Sequence, residues 1–343
     1  MSGAARLLVD ALRAPETVAC LDAKDWTALL AAARAEQLIA SLALRLADQP
    51  KPPAAATILA DAVRAAEQGR VQALWEAEMA RRALEPLGVT PILLKGTAFA
   101  AAGLSAGEGR FIGDLDILVP RGSLDTVEAA LLAAGWEWVK DDPYDNHYYK
   151  TWMHELPPLI HRDRDRMIDV HHTILPPTAR PRPDAAALIA ESTALPDGLQ
   201  MLSSRDMVIH AAAHLFADGD LAGGLRNLWD IDRLCREFAQ QQEDFFLDVV
   251  ERAFFHGLGP HMLRALRISR YLFGTPIPTY RQPLRLDLAL TPIDRLFVRR
   301  LLARDGWGRT TRKLTRLAFY VRSHWIRMPP LLLARHLWIK ARR

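Results

Sequence analysis

The stretch Asp114-Leu115-Asp116-Ile117-Leu118-Val119 leaves this chain few choices. Residues two apart on a strand project to the same face, so the two carboxylates converge at one strand end while Leu115, Ile117 and Val119 turn to a core. Carboxylates this close repel each other unless something positive sits between them. A divalent cation is the usual answer, and Mg²⁺ prefers oxygen ligands together with substrate phosphates. An exposed edge strand with solvated acids would read the same way in isolation. The surrounding sequence has to decide.

Two neighbours favour chemistry. Thr90 to Gly96 is a short apolar run closed by Gly, read as a buried strand that gives way to a helix from Thr97 to Ala102. Lys95-Gly96-Thr97 therefore lies where free backbone N–H groups can hold an anion and where Gly lets a ligand come close. Asp169, in Arg166-Met167-Ile168-Asp169-Val170-His171, is a third acid amid apolar neighbours on a predicted strand. His171 shares the Asp169 side of that strand and His172 faces the other way. Further strands are predicted over Trp136–Val139 and Tyr148–Ile160, with His161–Arg166 as a hairpin turn. Ser123 is the expected N-cap of a helix from Leu124 to Ala134, which Gly135 stops.

The flanks have a different texture. Residues 1–85 are rich in Ala, Leu, Arg and Glu, the strong helix formers. Helical spacing of Leu29, Ala33, Ala40 and Leu44, and of Val71, Leu74, Trp75 and Met79, predicts a hairpin or small bundle. Helical patterns return after about residue 185. The expected architecture is thus α+β: a small mixed β-sheet core over 86–180 between an N-terminal helical segment and a C-terminal all-helical domain over 181–343.

Half of the 343 residues are hydrophobic and 24% are charged, which excludes a mainly disordered chain. Cys20 and Cys235 share no metal-binding spacing, and no apolar run approaches the roughly 18 residues of a membrane span. With no apolar signal core near Met1, a cytoplasmic chain is expected. Charge is uneven: from Arg295 onward fourteen Lys or Arg face one acid, Asp305, while the preceding residues hold thirty basic against thirty-nine acidic groups. Leu314, Leu317, Val321, Trp325 and Met328 fall at helical spacing among these bases, so the tail reads as a basic amphipathic helix, followed by a second basic segment, Leu331–Arg343. Packing on the acidic body competes there with an acidic partner, nucleic acid, or an anionic membrane surface at the inner face.

Residues 91–172 resemble the polymerase-β-like nucleotidyltransferase superfamily: an apolar strand, Gly with a small residue, a helix, an Asp-x-Asp strand, and a later carboxylate. More narrowly, the chain is similar to a bacterial group of uncharacterised nucleotidyltransferases, through Lys95-Gly96, Arg110, Asp114/Asp116 and Asp169-Val170-His171. A His-bearing helix with His210 or His214, then Leu228-Trp229-Asp230, extends the likeness to about residue 235. The resemblance implies Mg²⁺ or Mn²⁺ on Asp114, Asp116 and Asp169, with an NTP such as ATP as donor. Asp116 and Asp169 would share a second metal, ~3.5–4 Å from the first. Lys95, Gly96, Thr97 and Arg110 would hold the triphosphate. The acceptor hydroxyl, on a protein, peptide, RNA or small molecule, would attack the α-phosphorus and release pyrophosphate. His171, His214 and Asp230 would support the site.

Two departures stand out. The superfamily turn is usually Gly-Gly or Gly-Ser, whereas Thr97 follows Gly96 here, and seventeen residues separate Gly96 from Asp114, giving a Gly-rich loop expected to gate the site. The i, i+4 pair His210 and His214 has zinc-compatible spacing but no evident third ligand, so a structural or substrate-side role is expected. The competing functions are transfer of a phosphoryl or sugar group, and a non-catalytic nucleotide-binding or membrane adaptor.

Overall fold

The computed structural model describes residues 3–278 and 288–327. Its centre is one mixed sheet of seven short strands: β1 (Ile92–Leu93), β2 (Asp114–Leu118), β3 (Trp136–Trp138), β4 (Leu159–His161), β5 (Met167–His171), β6 (Thr193–Ala194) and β7 (Gln200–Met201). They lie in the order β3-β4-β5-β2-β1-β7-β6. β2 is central and pairs parallel with β5 and antiparallel with β1. β7 pairs parallel with β1, so the sheet takes in residues beyond the expected boundary at 180. Helices surround it, as the flanking composition requires.

The longest, Pro53–Leu84, buries Ala55, Leu59, Ala62, Ala66, Ala73, Ala77, Ala80 and Leu84. Val71 and Trp75, taken from the sequence as part of its apolar stripe, are 55% and 56% exposed. Alanines make the inward face instead. A small-residue face lets this helix approach helix Lys95–Ala101 and strand β2 closely, which larger side chains would prevent. Glu76, buried on the same helix, accepts two hydrogen bonds from Arg164 in the β4–β5 turn, at 2.7 and 3.0 Å.

Other expectations need correction. Tyr148–Ile160 is not a strand. Helix Pro143–Trp152 begins on a proline, which suits a first helical turn, and a bridged segment follows before β4. Ser123 makes no capping bond: it ends the 3₁₀ turn Arg121–Ser123 with helical backbone angles, so the chain runs straight into helix Leu124–Ala133.

The basic helix Lys313–Arg327 is present. It docks through Phe319, edge-on to Phe297 at 4.9 Å, and through Arg322, which donates to the Phe216 carbonyl at 2.5 Å. Leu314, Leu317, Val321 and Trp325 of the expected apolar stripe are exposed, Leu314 by 84%, and Met328 lies outside the described residues. The segment Leu331–Arg343 lies outside the described residues. Among those residues, no helix is long and apolar enough to cross a membrane. A single cluster of buried apolar side chains, from Leu8 to Phe319, joins all three regions of the chain.

Candidate active site

The parallel register of β2 and β5 sets Asp116 directly opposite Asp169. Asp114, two residues before Asp116, shares its face. Ligand oxygens of all three come within 4.8 Å of one another. Asp114 is exposed, Asp116 is buried and Asp169 lies between these extremes, so the cluster opens to solvent on one side.

β1 delivers the counter-charge. The Leu94 N–H donates to the Asp116 carbonyl at 3.0 Å, tying the end of β1 to the carboxylate strand. Lys95 then turns into the left-handed region, with φ of 48°, a conformation that costs a non-glycine residue of order 1–3 kcal/mol and is held only by its surroundings. This turn aims Nζ at Asp116 Oδ1, 2.6 Å away. His171 Nε2 lies 2.9 Å from the same oxygen.

The acids divide accordingly. Burial alone would raise the carboxyl of Asp116, but Lys95 and His171 hold it well below the ordinary carboxylate range. Lys95 is itself raised: burial opposes its charge, and Asp116, Asp114 and Asp169 outweigh that. Among the described residues Asp169 has no such partner. Burial, then the charges of Asp116 and Glu155, push it up to about 7. A site whose third carboxylate can ionise only against repulsion suits a divalent cation, and an all-oxygen donor set favours Mg²⁺ or Mn²⁺.

An acid raised from 3.8 to about 7 on folding costs stability as pH rises through that interval. In the metal-free protein, Asp169→Asn should therefore raise Tm at pH 8 by roughly 2–4 °C per kcal/mol relieved, with the gain shrinking toward pH 4. Melting curves in a chelator at both pH values check this. An equal gain at the two would show that another group titrates.

Above the carboxylates lies a cavity of about 470 Å³, lined by Lys95, Gly96, Arg110, Asp114, Asp116, His214, Arg226, Asn227 and Arg304 among others. Its cations are braced. Arg110 pairs with Asp230, and Arg226 Nε donates to the same carboxylate at 2.9 Å. Asp230 is thus a buried bracket between two arginines. Arg226 also donates to Ser41 Oγ at 2.8 Å, and Ser41 donates to the carbonyls of Glu108 and Gly109 at 3.0 and 3.2 Å. Arg304 donates to buried Glu36 at 2.7 Å. Glu36 also accepts the Leu225 N–H at 3.1 Å.

These contacts decide what the Gly-rich loop does. Ser105 donates through its N–H and hydroxyl to Glu237, at 2.8 and 2.7 Å, while Ser41 holds residues 108–109. Gly109, at φ +62°, lies so close to the chain at Ala40 and Ser41 that a Cβ would fall 2.6 Å from the Ser41 nitrogen. The loop expected to gate the site is clamped at both ends. Gly96 has an equally concrete role, because a Cβ there would stand 2.4 Å from Arg110 Nε. It is the floor on which the Arg110 guanidinium rests.

Thr97 is buried and is not among the cavity-lining residues. His214 does line the cavity, as the first residue of the π-helical turn His214–Asp218, a distortion frequent at functional sites. His210 is buried, and burial followed by the nearby Lys95 and His214 keeps it neutral, well below the usual imidazole range. Sequence reading missed Glu36, Gln37, Ser41 and Arg304, which carry no local motif. The pairing of Arg226 with Asp230, four residues on, is legible as a helical i, i+4 spacing. A larger cleft of about 890 Å³, lined by Arg6, Arg13, Arg270, Arg295 and Arg299, contains none of the three carboxylates. The chemistry selects the smaller cavity.

Carboxylates gathered on adjacent parallel strands beneath a braced set of cations are what a nucleotidyltransferase fold supplies, and comparison with known families agrees. The profile of the family described as uncharacterised nucleotidyltransferase matches residues 22–274, and the chain belongs to that family. No curated protein is similar enough to count as a match.

Proposed function

We propose that the protein transfers a nucleoside monophosphate from an NTP to an acceptor hydroxyl, releasing pyrophosphate. The observation that carries this reading is the convergence of Asp169 on Asp114 and Asp116, which line one cavity together with Lys95, Arg110 and Arg226. Asp114, Asp116 and Asp169 would hold Mg²⁺, which would supply charge neutralisation at the reacting phosphate and activation of the attacking oxygen.

The chain's own groups do the rest. Arg110, fixed by Asp230, presents its guanidinium to the triphosphate without needing to be ordered on binding, and buried Arg226 adds its charge behind it. Lys95 leaves Asp116 for phosphate as negative charge arrives, so the buried carboxylate is never without a cation. The acceptor oxygen forms a bond to the α-phosphorus, the bond from that phosphorus to the β-phosphate bridge oxygen breaks, and pyrophosphate carries the electron pair away. Asp169 takes the hydroxyl proton. The pairing of a metal-binding triad with phosphate-binding cations on every side favours this over a binding-only adaptor, which needs no third carboxylate.

Thermal shift with each of the four NTPs and Mg²⁺ tests the donor half. A bound donor at ten times its Kd should add about 1.4 kcal/mol of stability, a Tm rise of roughly 3–5 °C that depends on metal. The rise should vanish in Asp114→Ala/Asp116→Ala. No NTP-dependent shift in the wild-type protein would count against the reading and in favour of another donor.

A further inference from the structure

Beside the carboxylates, on the far side of His171, lies a second group with different chemistry. His154, Glu155 and His171 each offer a ligand atom within 4.8 Å of the others. Backbone pairing builds the cluster: Glu155 bridges His171 antiparallel, the His172 N–H donates to the His154 carbonyl, and the Leu156 N–H donates to the Val170 carbonyl, both at 2.9 Å. Residues 154–156 are therefore laid against the end of β5 as a fixed strip. Glu155 Oε2 stands 3.6 Å from His171 Nδ1 and 3.7 Å from His154 Nε2, and the two imidazole rings lie 5.2 Å apart and tilted by 36°.

His171 Nε2 lies 2.9 Å from Asp116 Oδ1, so Nδ1 is the ring atom left for the second group. His171 is only 2% exposed, and among the described residues its buried Nδ1 has no hydrogen-bond partner. That nitrogen faces Glu155 Oε2. His154 is kept neutral, well below the usual imidazole range, by burial and then by His171 and Lys95. Two imidazoles and a carboxylate whose ligand atoms converge at one place are a donor set that a cation would satisfy.

We infer that His154 Nε2, Glu155 Oε2 and His171 Nδ1 form a binding site for a transition-metal dication of the Zn²⁺ type, separate from the carboxylate triad. Three observations specify the class. Ligands about 2.0–2.2 Å from a tetrahedral ion lie roughly 3.3–3.6 Å apart, close to the separations from Glu155 to the two imidazoles. Two imidazoles and a carboxylate suit Zn²⁺ or Co²⁺, whereas Mg²⁺ avoids nitrogen. The outer nitrogen of His171 donates to Asp116, and a carboxylate beyond the imidazole is the arrangement that orients metal-bound histidines. An ion on His171 would fix that tautomer and so hold Asp116 in place. His171 is then a positioning residue that links the two centres.

The test uses the full chain, stripped with chelator and titrated with Zn²⁺ alone and with Co²⁺ alone. Wild-type protein should take up about one ion with Kd below ~10 µM, and the Co²⁺ form should show visible bands of a tetrahedral site. His154→Ala and the isosteric Glu155→Gln should each weaken binding at least ~100-fold and abolish those bands, while Asp114→Asn should leave both unchanged. Wild-type binding weaker than ~10 µM overturns the inference. So does wild-type affinity in Glu155→Gln, or loss of the ion in Asp114→Asn, which would place it on the carboxylate triad. Because the readout is metal uptake without nucleotide, failure of the transferase reading does not affect it.

Discussion

Asp114→Asn should lower nucleotidyl transfer by about 10³-fold or more while leaving the fold nearly untouched. A loss of that size corresponds to roughly 4 kcal/mol of transition-state stabilisation. Asp114 separates chemistry from stability because it is exposed and the ion pair on Asp116 does not need it. Exposed substitutions of this kind usually change stability by no more than about 0.5 kcal/mol. Asp116→Asn is the less informative variant. It removes the buried partner of both Lys95 and His171, and a buried charge left without its counter-ion costs about 3–5 kcal/mol. Steady-state pyrophosphate release and a melting curve on the same preparations decide the matter. If folded Asp114→Asn keeps activity within tenfold of wild type, the triad is not the transfer site.

The second large effect concerns stability. Arg226 is buried and joins three parts of the chain: Asp230 on its own helix, Ser41 near the N-terminus, and through Ser41 the backbone at Glu108 and Gly109. Arg226→Ala should cost about 3–5 kcal/mol, a fall in Tm of roughly 6–15 °C, because Asp230 keeps only Arg110 and Ser41 loses its donor. Asp230→Ala should cost about as much, by stranding two guanidiniums. The double variant should cost clearly less than the sum, since only Arg110 is then left without its carboxylate. Additive losses, or an Arg226→Ala protein melting within 2 °C of wild type, would mean that the bracket does not hold the site together.

How much of this was legible beforehand depended on whether a signal was local. Strand parity alone put Asp114 and Asp116 on one face, and the apolar residues around Asp169 marked the strand that turned out to lie beside it in matching register. The Lys95 turn was visible as a strand ending in glycine, though its left-handed backbone at a lysine was not. Tyr148–Trp152 misled because aromatic residues favour strands, whereas here Pro143 starts a helix that carries them. β6 and β7 have two residues each, too few for any periodicity to register. His154 and Glu155 were hidden by the same misread segment. Glu36 and Ser41 had no chance of being found, because what makes them matter is a partner far along the chain.

That remoteness bears on how the molecule is made. Glu36 is buried in the finished fold, yet its two partners, Leu225 and Arg304, lie 189 and 268 residues downstream. A chain leaving the ribosome exposes this acid long before either exists, and an unpaired carboxylate resists burial. The N-terminal helices can form early, but the side of them that meets the cavity must stay wet until residue 304 has been synthesised. β1 waits as well, with one edge open until β7 arrives, and during that shorter interval the edge invites the wrong partner. Completion of the cavity wall therefore comes well after the carboxylate strands have been made.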